Sequence, residues 1–206
     1  MTIDSEANAS DGENRKQNIL SVATKLFCEN GYSGTRMSDI AAAIGVTKPI
    51  IYRYYSSKEE LFENWVDLVL AENRNRLTDL IGNLDLSAKD VTKIILDKSL
   101  AGIGNQIMMA PWRIALVEAE NFPKIAKLVC TKFKDPLLET VANRFARAIA
   151  DGELKGDPTI LARLFCAPIA SAAVVIATFG DASLPIEIVG NTFDAHYESF
   201  WRAWSA

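Results

Sequence analysis

Apolar positions recur along this chain at intervals of three and four, the period of a helix with one buried face, and strand-like alternation is nearly absent. Ile19, Val22, Ala23, Leu26 and Phe27 form the first stripe, which predicts a helix stopping at Asn30-Gly31, where glycine supplies a left-handed cap. Met37, Ile40, Ala41 and Ile44 predict a second, short helix ending at Gly45. Thr47 is placed to cap a third with its hydroxyl, and Pro49 falls in a first turn where no intrahelical N–H is lost. Ser57 stands three residues before Glu60, the spacing of a capping box, and opens a fourth helix carrying Leu61, Phe62, Trp65, Leu68 and Val69.

After Leu80 the punctuation thins. GNLDLS reads as a linker, and Ser87 caps a helix running through Val91, Ile94, Ile95 and Lys98 toward Ile107. Pro111, Pro123, Pro136 and Pro158 divide the remaining chain into helices of unequal length, with Gly152 closing one of them. GDASLP precedes a last helix rich in aromatics: Phe193, Tyr197, Phe200, Trp201 and Trp204. The expected architecture is all-α, with a polar, disordered leader over residues 1–14, a small head over 15–60 and a larger helical domain over 61–206.

Charge narrows the picture. The chain has 206 residues, 49% of them hydrophobic, and its 22 Lys+Arg against 26 Asp+Glu give a net charge of -4. That balance excludes a uniformly basic nucleic-acid binder, so any such contact must be local. From Ser33 to Lys58 the basic residues Arg36, Lys48, Arg53 and Lys58 oppose only Asp39, a net +3. Cys28, Cys130 and Cys166 are far apart in apolar helical contexts, which suits buried thiols in a reducing cytosol better than a disulfide framework or a zinc site. The uncharged run from Leu164 to Phe179 falls short of the roughly 20 residues of a bilayer span and contains Pro168. It reads as a helix buried in a protein interface, and no membrane partner is expected.

Candidate enzyme chemistry is thin. Glu118 and Glu120 lack a second convergent group, His196 sits among aromatics where packing is its natural role, and no nucleophile triad, phosphate loop or metal-ligand spacing stands out. The expectation is no enzyme, no cofactor and no metal.

The second and third helices are joined by a few residues around Gly45-Val46, the helix-turn-helix arrangement. Ala41 lets the helices approach, Gly45 takes the turn, Val46 plugs the corner, and Ile51 and Tyr55 face inward with Ile40 and Ile44. Roughly 100° per residue then places Pro49, Tyr52 and Arg53 on the outer side, with Lys48 on the flank.

Residues 15 to 62, with LFCENGY followed by SGTRMSDIAAAIGVTKPIIYRYYSSKEELF, resemble the TetR family of bacterial transcriptional repressors. More loosely, WRIALVEAENFPKIAKLV and GELKGDPTILARLF resemble a ligand-domain subgroup of that family. The resemblance implies that Thr35, Arg53, Tyr54 and Lys58 match positions that touch DNA phosphates. Ser38, Lys48, Pro49 and Tyr52 match positions near base edges or the adjacent backbone, and Thr47 belongs to the same DNA-binding set. Ser38 stands where many members carry Arg, which removes a bidentate guanine contact, and Ile50 replaces a frequent small polar residue with a side chain suited to a thymine methyl.

The resemblance also assigns two jobs to the remaining chain. One is homodimerisation through the last two helices, with Ala170, Ser171, Ala172 and Ala173 permitting close packing and the aromatic helix ending at Trp204 sharing the interface. The other is sensing, with Ile103, Ile107, Met108, Met109, Trp112, Leu116, Phe122 and Phe165 lining an apolar pocket for a hydrophobic or aromatic small molecule. The expected function is a cytoplasmic repressor that binds a near-palindromic double-stranded DNA operator and is released by a small, largely apolar ligand. The alternative is a helical small-molecule-binding protein or enzyme whose head does not bind DNA.

Overall fold

Helix α1 (Ile3–Gly34) is followed by α2 (Met37–Ala43), α3 (Lys48–Tyr52) and α4 (Lys58–Ile81). Then come α5 (Ala88–Ile103), α6 (Gln106–Glu118), α7 (Pro123–Val129), a π-helical turn (Cys130–Lys134), α8 (Asp135–Ala150), α9 (Pro158–Phe179) and α10 (Ile186–Trp204). This computed structural model describes the backbone of residues 3–81, 86–180 and 183–206, and the side chains of 12–71, 86–180 and 183–206. Among the described residues there is no strand. One isolated antiparallel bridge joins Leu154 to Ser205, flanked by Lys155 N–H donating to the Trp204 carbonyl at 3.0 Å and Ala206 N–H to that of Glu153 at 3.1 Å.

The chain divides into two compact units between Leu68 and Val69, later than the boundary expected after residue 60. The reason is the start of α4, whose Leu61, Phe62, Trp65 and Val66 are fully buried. Phe27 packs edge-on to Phe62 at 5.2 Å and against Trp65 at 5.1 Å, while Tyr32 meets Phe62 edge-on at 5.2 Å. Each such pair contributes about 0.5–1.5 kcal/mol beyond the area it buries, so the first two turns of α4 belong to the first unit's core.

Within the first unit α1 runs back to Ile3, across the segment expected as a disordered leader. That segment is polar but contains Glu6, Ala7, Ala9 and Glu13, all of high helix propensity. The helix breaks where expected, at Gly31, whose φ of 71° and ψ of -174° leave the helical region. Helix α2 ends in a Schellman motif: Val46 N–H reaches the Ala41 carbonyl at 2.9 Å and Gly45 N–H that of Ala42 at 3.1 Å. Gly45 has φ 70°, the left-handed value this motif needs at that position. Two caps differ from expectation. Thr47 precedes α3 but makes no side-chain cap bond. The Glu60 carboxylate accepts from the Ser56 N–H at 2.7 Å and the Ser56 hydroxyl at 2.6 Å, while the Ser57 hydroxyl accepts from Glu60 N–H at 3.0 Å.

In the second unit Ser87 caps α5 by accepting from Asp90 N–H at 3.1 Å. Of the expected linker GNLDLS, residues 82–85 lie outside the described residues, as do 181 and 182 of GDASLP. Helix α5 stops at Ile103, short of Ile107, because Asn105 caps α6 and accepts from the N–H groups of Ile107 and Met108 at 3.0 and 3.1 Å. Two prolines do not divide the chain as expected. Pro111 lies inside α6, and Pro136 lies in the first turn of α8, which continues directly from the π-helical turn. Proline lacks the donor that a regular ladder requires, and the wider π register just before it absorbs that loss without a break.

The core of this unit is aromatic. Phe145 stacks on Phe200 at 5.5 Å, Phe165 meets Phe200 edge-on at 5.1 Å, and Trp201 joins them. Phe193, Phe200 and Trp201 are buried, so most of the aromatic face of α10 is core and not the shared interface expected of it. His196 is half-buried beside them, its Nε2 3.1 Å from the Phe165 carbonyl, which matches a packing role.

Candidate nucleic-acid interface and ligand cavity

Burial splits IIYRYY into two surfaces. Ile51 and Tyr55 are inside with Ile40, whereas Lys48, Pro49, Tyr52 and Arg53 are exposed on α3 and just after it. Tyr55 is anchored further by its hydroxyl, 3.5 Å from the Lys16 carbonyl, and burial followed by the charges of Glu13 and Glu60 pushes its pKa up to about 12. The Lys48 ammonium lies 5.6 Å from the Tyr52 ring centroid, so cation and aromatic present one joint surface. Ser38 and Thr47 are exposed nearby in sequence, the Ser38 hydroxyl donating to Asp39 at 3.3 Å. Tyr54 and Ile50 are half-buried.

Two of the expected DNA-contacting side chains are committed elsewhere. Thr35 is buried, and its hydroxyl lies 2.8 Å from the Gly31 carbonyl and 3.1 Å from that of Leu26. Lys58 donates to the carbonyls of Tyr32 at 2.8 Å and Thr35 at 3.1 Å. Both side chains close the α1–α2 corner from within, a job invisible to a motif that records only residue type. Conversely Arg36, which the sequence brought in only as charge, is exposed at the N-cap of α2. The exposed cations of this surface are therefore Arg36, Lys48 and Arg53.

The second unit contains a half-open cavity of about 760 Å³. Of the eight residues expected to line it, Ile103, Met108, Met109 and Trp112 do. The other four do not: Ile107 and Leu116 are exposed, Phe122 is half-buried away from it, and Phe165 is fully enclosed in the aromatic core. The opposite wall is one that apolar periodicity does not reveal. Helix α8 turns Pro136, Thr140, Asn143, Arg144 and Arg147 to the cavity, the spacing of one helical face, while Val141, Phe145 and Ala148 on its other side are buried. The signal was present in DPLLETVANRFARAIA as polar residues recurring at three and four. The π-helical turn adds Lys132, Phe133 and Lys134, and Phe133 meets Trp112 edge-on at 5.8 Å. Cys166 on α9 also lines the cavity, and burial pushes its thiol up to about 12, which leaves it protonated and unreactive.

The surface that the lining presents is mainly apolar, but basic side chains are set into it. It carries Lys98, Lys132, Lys134, Arg144, Arg147 and Arg163 and, among the described residues, no Asp or Glu. Arg144 Nε is buried without a hydrogen-bond partner, an arrangement that costs about 1–3 kcal/mol for a neutral donor and more for a charged one.

Helix α9 has a second face. Ile160, Leu164, Ala167, Ser171, Val174 and Thr178 are all exposed, and at 100° per residue they fall within an arc of about 80°. The small residues expected to allow close packing are split, with Ala170 and Ser171 exposed but Ala172 and Ala173 in the core. At 22 residues α9 is long and apolar enough to cross a membrane, contrary to the shorter run read from sequence, and half of its apolar window is buried in the protein. No group of His, Cys, Asp and Glu able to hold a metal occurs among the described residues.

Residues 19–64 match the family model of bacterial regulatory proteins of the tetR family, and residues 93–187 match that of the AefR-like transcriptional repressor C-terminal domain. The chain is 37% identical over 78 residues to the uncharacterized HTH-type transcriptional regulator YvaF of Bacillus subtilis, a match covering 38% of this chain and 40% of YvaF. It thus spans about two fifths of that relative's length. Among solved structures, a TetR-family transcriptional regulator from Mesorhizobium loti superposes with a TM-score of 0.75 at 20% identity, covering 95% of this chain and 98% of that one. The regulator FadR of Bacillus subtilis, solved in complex with stearoyl-CoA, does so with a TM-score of 0.71 at 18% identity, covering 89% and 96%. Identities this low speak for the fold alone.

Proposed function

This chain belongs to the TetR family of bacterial regulatory proteins, and on that premise we propose that it is a homodimeric, DNA-binding repressor of the cytoplasm, released from its operator by a small ligand. The observation that carries the reading is the division of α3: Ile51 holds the helix in the head while Lys48, Pro49, Tyr52 and Arg53 stand exposed together. A short helix presented this way fits a major groove, with Arg36, Lys48 and Arg53 meeting phosphates and Tyr52 and Pro49 nearest the bases. The acidic remainder of the chain keeps nonspecific attraction to DNA low.

Dimerisation supplies the second half-site. Two copies of the recognition helix must lie about 34 Å apart to enter successive major grooves. The charge-free exposed stripe of α9, with Ile186 and Ile188 exposed at the start of α10, is the surface a second copy would cover. Ligand release needs a cavity and a connected element. The cavity reaches Leu70 of α4, the same helix whose first turns carry Phe62 and Trp65 into the head's core. An occupant that binds one α4 position better than another shifts the population of DNA-competent dimers by that difference in affinity.

The test is direct. Purified protein is used to select duplexes from a random pool, and the enriched sequence is titrated at several salt concentrations. A near-palindrome with half-sites about one helical turn apart and strongly salt-dependent affinity is expected; no enriched duplex would overturn the reading.

A further inference from the structure

The cavity of the second unit joins three features that a purely apolar pocket does not need. Its basic residues come from four separate elements, Lys98 from α5, Lys132 and Lys134 from the π-helical turn, Arg144 and Arg147 from α8, and Arg163 from α9. They share one lining in which no described residue is Asp or Glu, although Lys134 pairs with the flanking Asp135 at 3.3 Å, in a chain whose acids outnumber its bases by four. The Arg144 Nε is itself buried with no hydrogen-bond partner. The remaining wall is mainly aliphatic, including Ile95, Ile103, Met109, Leu138 and Ile169, and methionine there adapts cheaply to the shape of an occupant.

We propose that this cavity takes an amphipathic anion, with a flexible aliphatic body against Ile103, Met109 and Ile169 and a carboxylate or phosphate head against Arg144, Arg147 and Arg163. Helix α8 sets the two arginines of the head site three residues apart on one face, and a guanidinium offers the planar fork that both oxyanion types accept. A head group there neutralises part of the positive charge gathered in the lining. The volume, about 760 Å³, falls within the range of about 300–1,000 Å³ that small-molecule sites occupy. The inference rests on the ligand-released reading above and specifies the chemistry of its effector.

Calorimetric titration of the full chain with dodecanoate, dodecyl phosphate, dodecanol and dodecylamine, each below its micellar concentration, tests it. Both anions bind, and dodecanol and dodecylamine bind at least about tenfold more weakly, the factor expected for one charged hydrogen bond. Tighter binding of dodecanoate assigns a fatty-acid-like source and tighter binding of dodecyl phosphate a phosphorylated one. Arg144→Met abolishes the preference for anions over dodecanol. If that variant does not fold, the exposed pair Arg147→Met and Arg163→Met together reduces the preference instead. Equal affinity for dodecanol and dodecanoate, or a preference that survives these substitutions, overturns the inference. Salt-dependent DNA binding measured on the same preparation separates the two readings: intact DNA binding without anion preference sinks this inference alone, whereas absent DNA binding sinks the regulator.

Discussion

The Lys58 ammonium lies 4.2 Å from the centroid of the Tyr32 ring and donates a hydrogen bond of 2.8 Å to the Tyr32 carbonyl oxygen. A second bond to the Thr35 carbonyl, at 3.1 Å, fastens α4 to the corner between α1 and α2. A charged donor on two carbonyls and an aromatic face is a structural clip, so Lys58→Met lowers the unfolding free energy by about 1–2 kcal/mol. Urea denaturation reads that loss. The salt dependence of DNA binding by the folded variant stays as it was, because this ammonium is already taken up by two backbone carbonyls and an aromatic face.

Lys48 and Arg53 behave in the opposite way. Both are exposed beside Tyr52, and neither closes a corner of the head. Lys48→Ala and Arg53→Ala leave the melting temperature unchanged and each reduce the slope of log K against log salt by about 0.9, the loss of one phosphate contact. Anisotropy titrations of the selected duplex across a salt series check this, and an unchanged slope in both variants would show that α3 does not face the backbone.

Contrasts of this kind mark what the sequence made legible. Period alone located α1 to α3 and the inward pair Ile51 and Tyr55, because a short amphipathic helix has only one way to bury an aliphatic and an aromatic one turn apart. Period did not show that Thr35 and Lys58 turn inward. Both are polar, and their partners are backbone carbonyls, which every residue carries and no sequence distinguishes. The cavity was half legible for a similar reason. Ile103, Met109 and Trp112 were readable as apolar, but Phe165 reads the same way and is core. The basic wall of α8 reads as a solvated face until α5, α6 and α9 are placed around it.

The exposed stripe on α9 predicts an oligomeric state that one substitution controls. Val174 lies on it between Ser171 and Thr178, so Val174→Glu places a carboxylate where a second copy would have to desolvate it. Sedimentation equilibrium then shows monomer in place of dimer, circular dichroism shows an unchanged helical content, and affinity for a two-half-site duplex falls while that for a single half-site does not. A dimer that persists in the variant assigns the interface elsewhere.

Inside the second unit, Trp201 Nε1 donates to the Thr92 hydroxyl at 3.1 Å, with both side chains buried. The same hydroxyl donates back along its own helix, 2.9 Å from the carbonyls of Ala88 and Lys89, so it links α10 to α5 as acceptor and donor at once. Thr92→Val keeps the shape and strands the indole N–H, which destabilises the domain by about 1–3 kcal/mol. Thr92→Ser keeps the bond and costs less, and the gap between the two in thermal or urea unfolding isolates the hydrogen bond from the packing.

His196 gives the domain a pH dependence whose sign is set by its surroundings. Burial against Phe165 and Phe200 holds its pKa below the usual value of 6.5, an effect larger than the opposing bond to the Phe165 carbonyl. The folded protein therefore binds a proton here less readily than the unfolded chain does, and the stabilising contribution is complete above the unfolded pKa. As pH falls below about 6.5 the unfolded state gains protons first, and stability is lost down to the lowered folded value. The difference in unfolding free energy between the wild type and His196→Leu, followed across that window, moves in favour of the leucine variant as the solution is acidified. Parallel curves for the two proteins would mean that the imidazole titrates as freely in the fold as out of it.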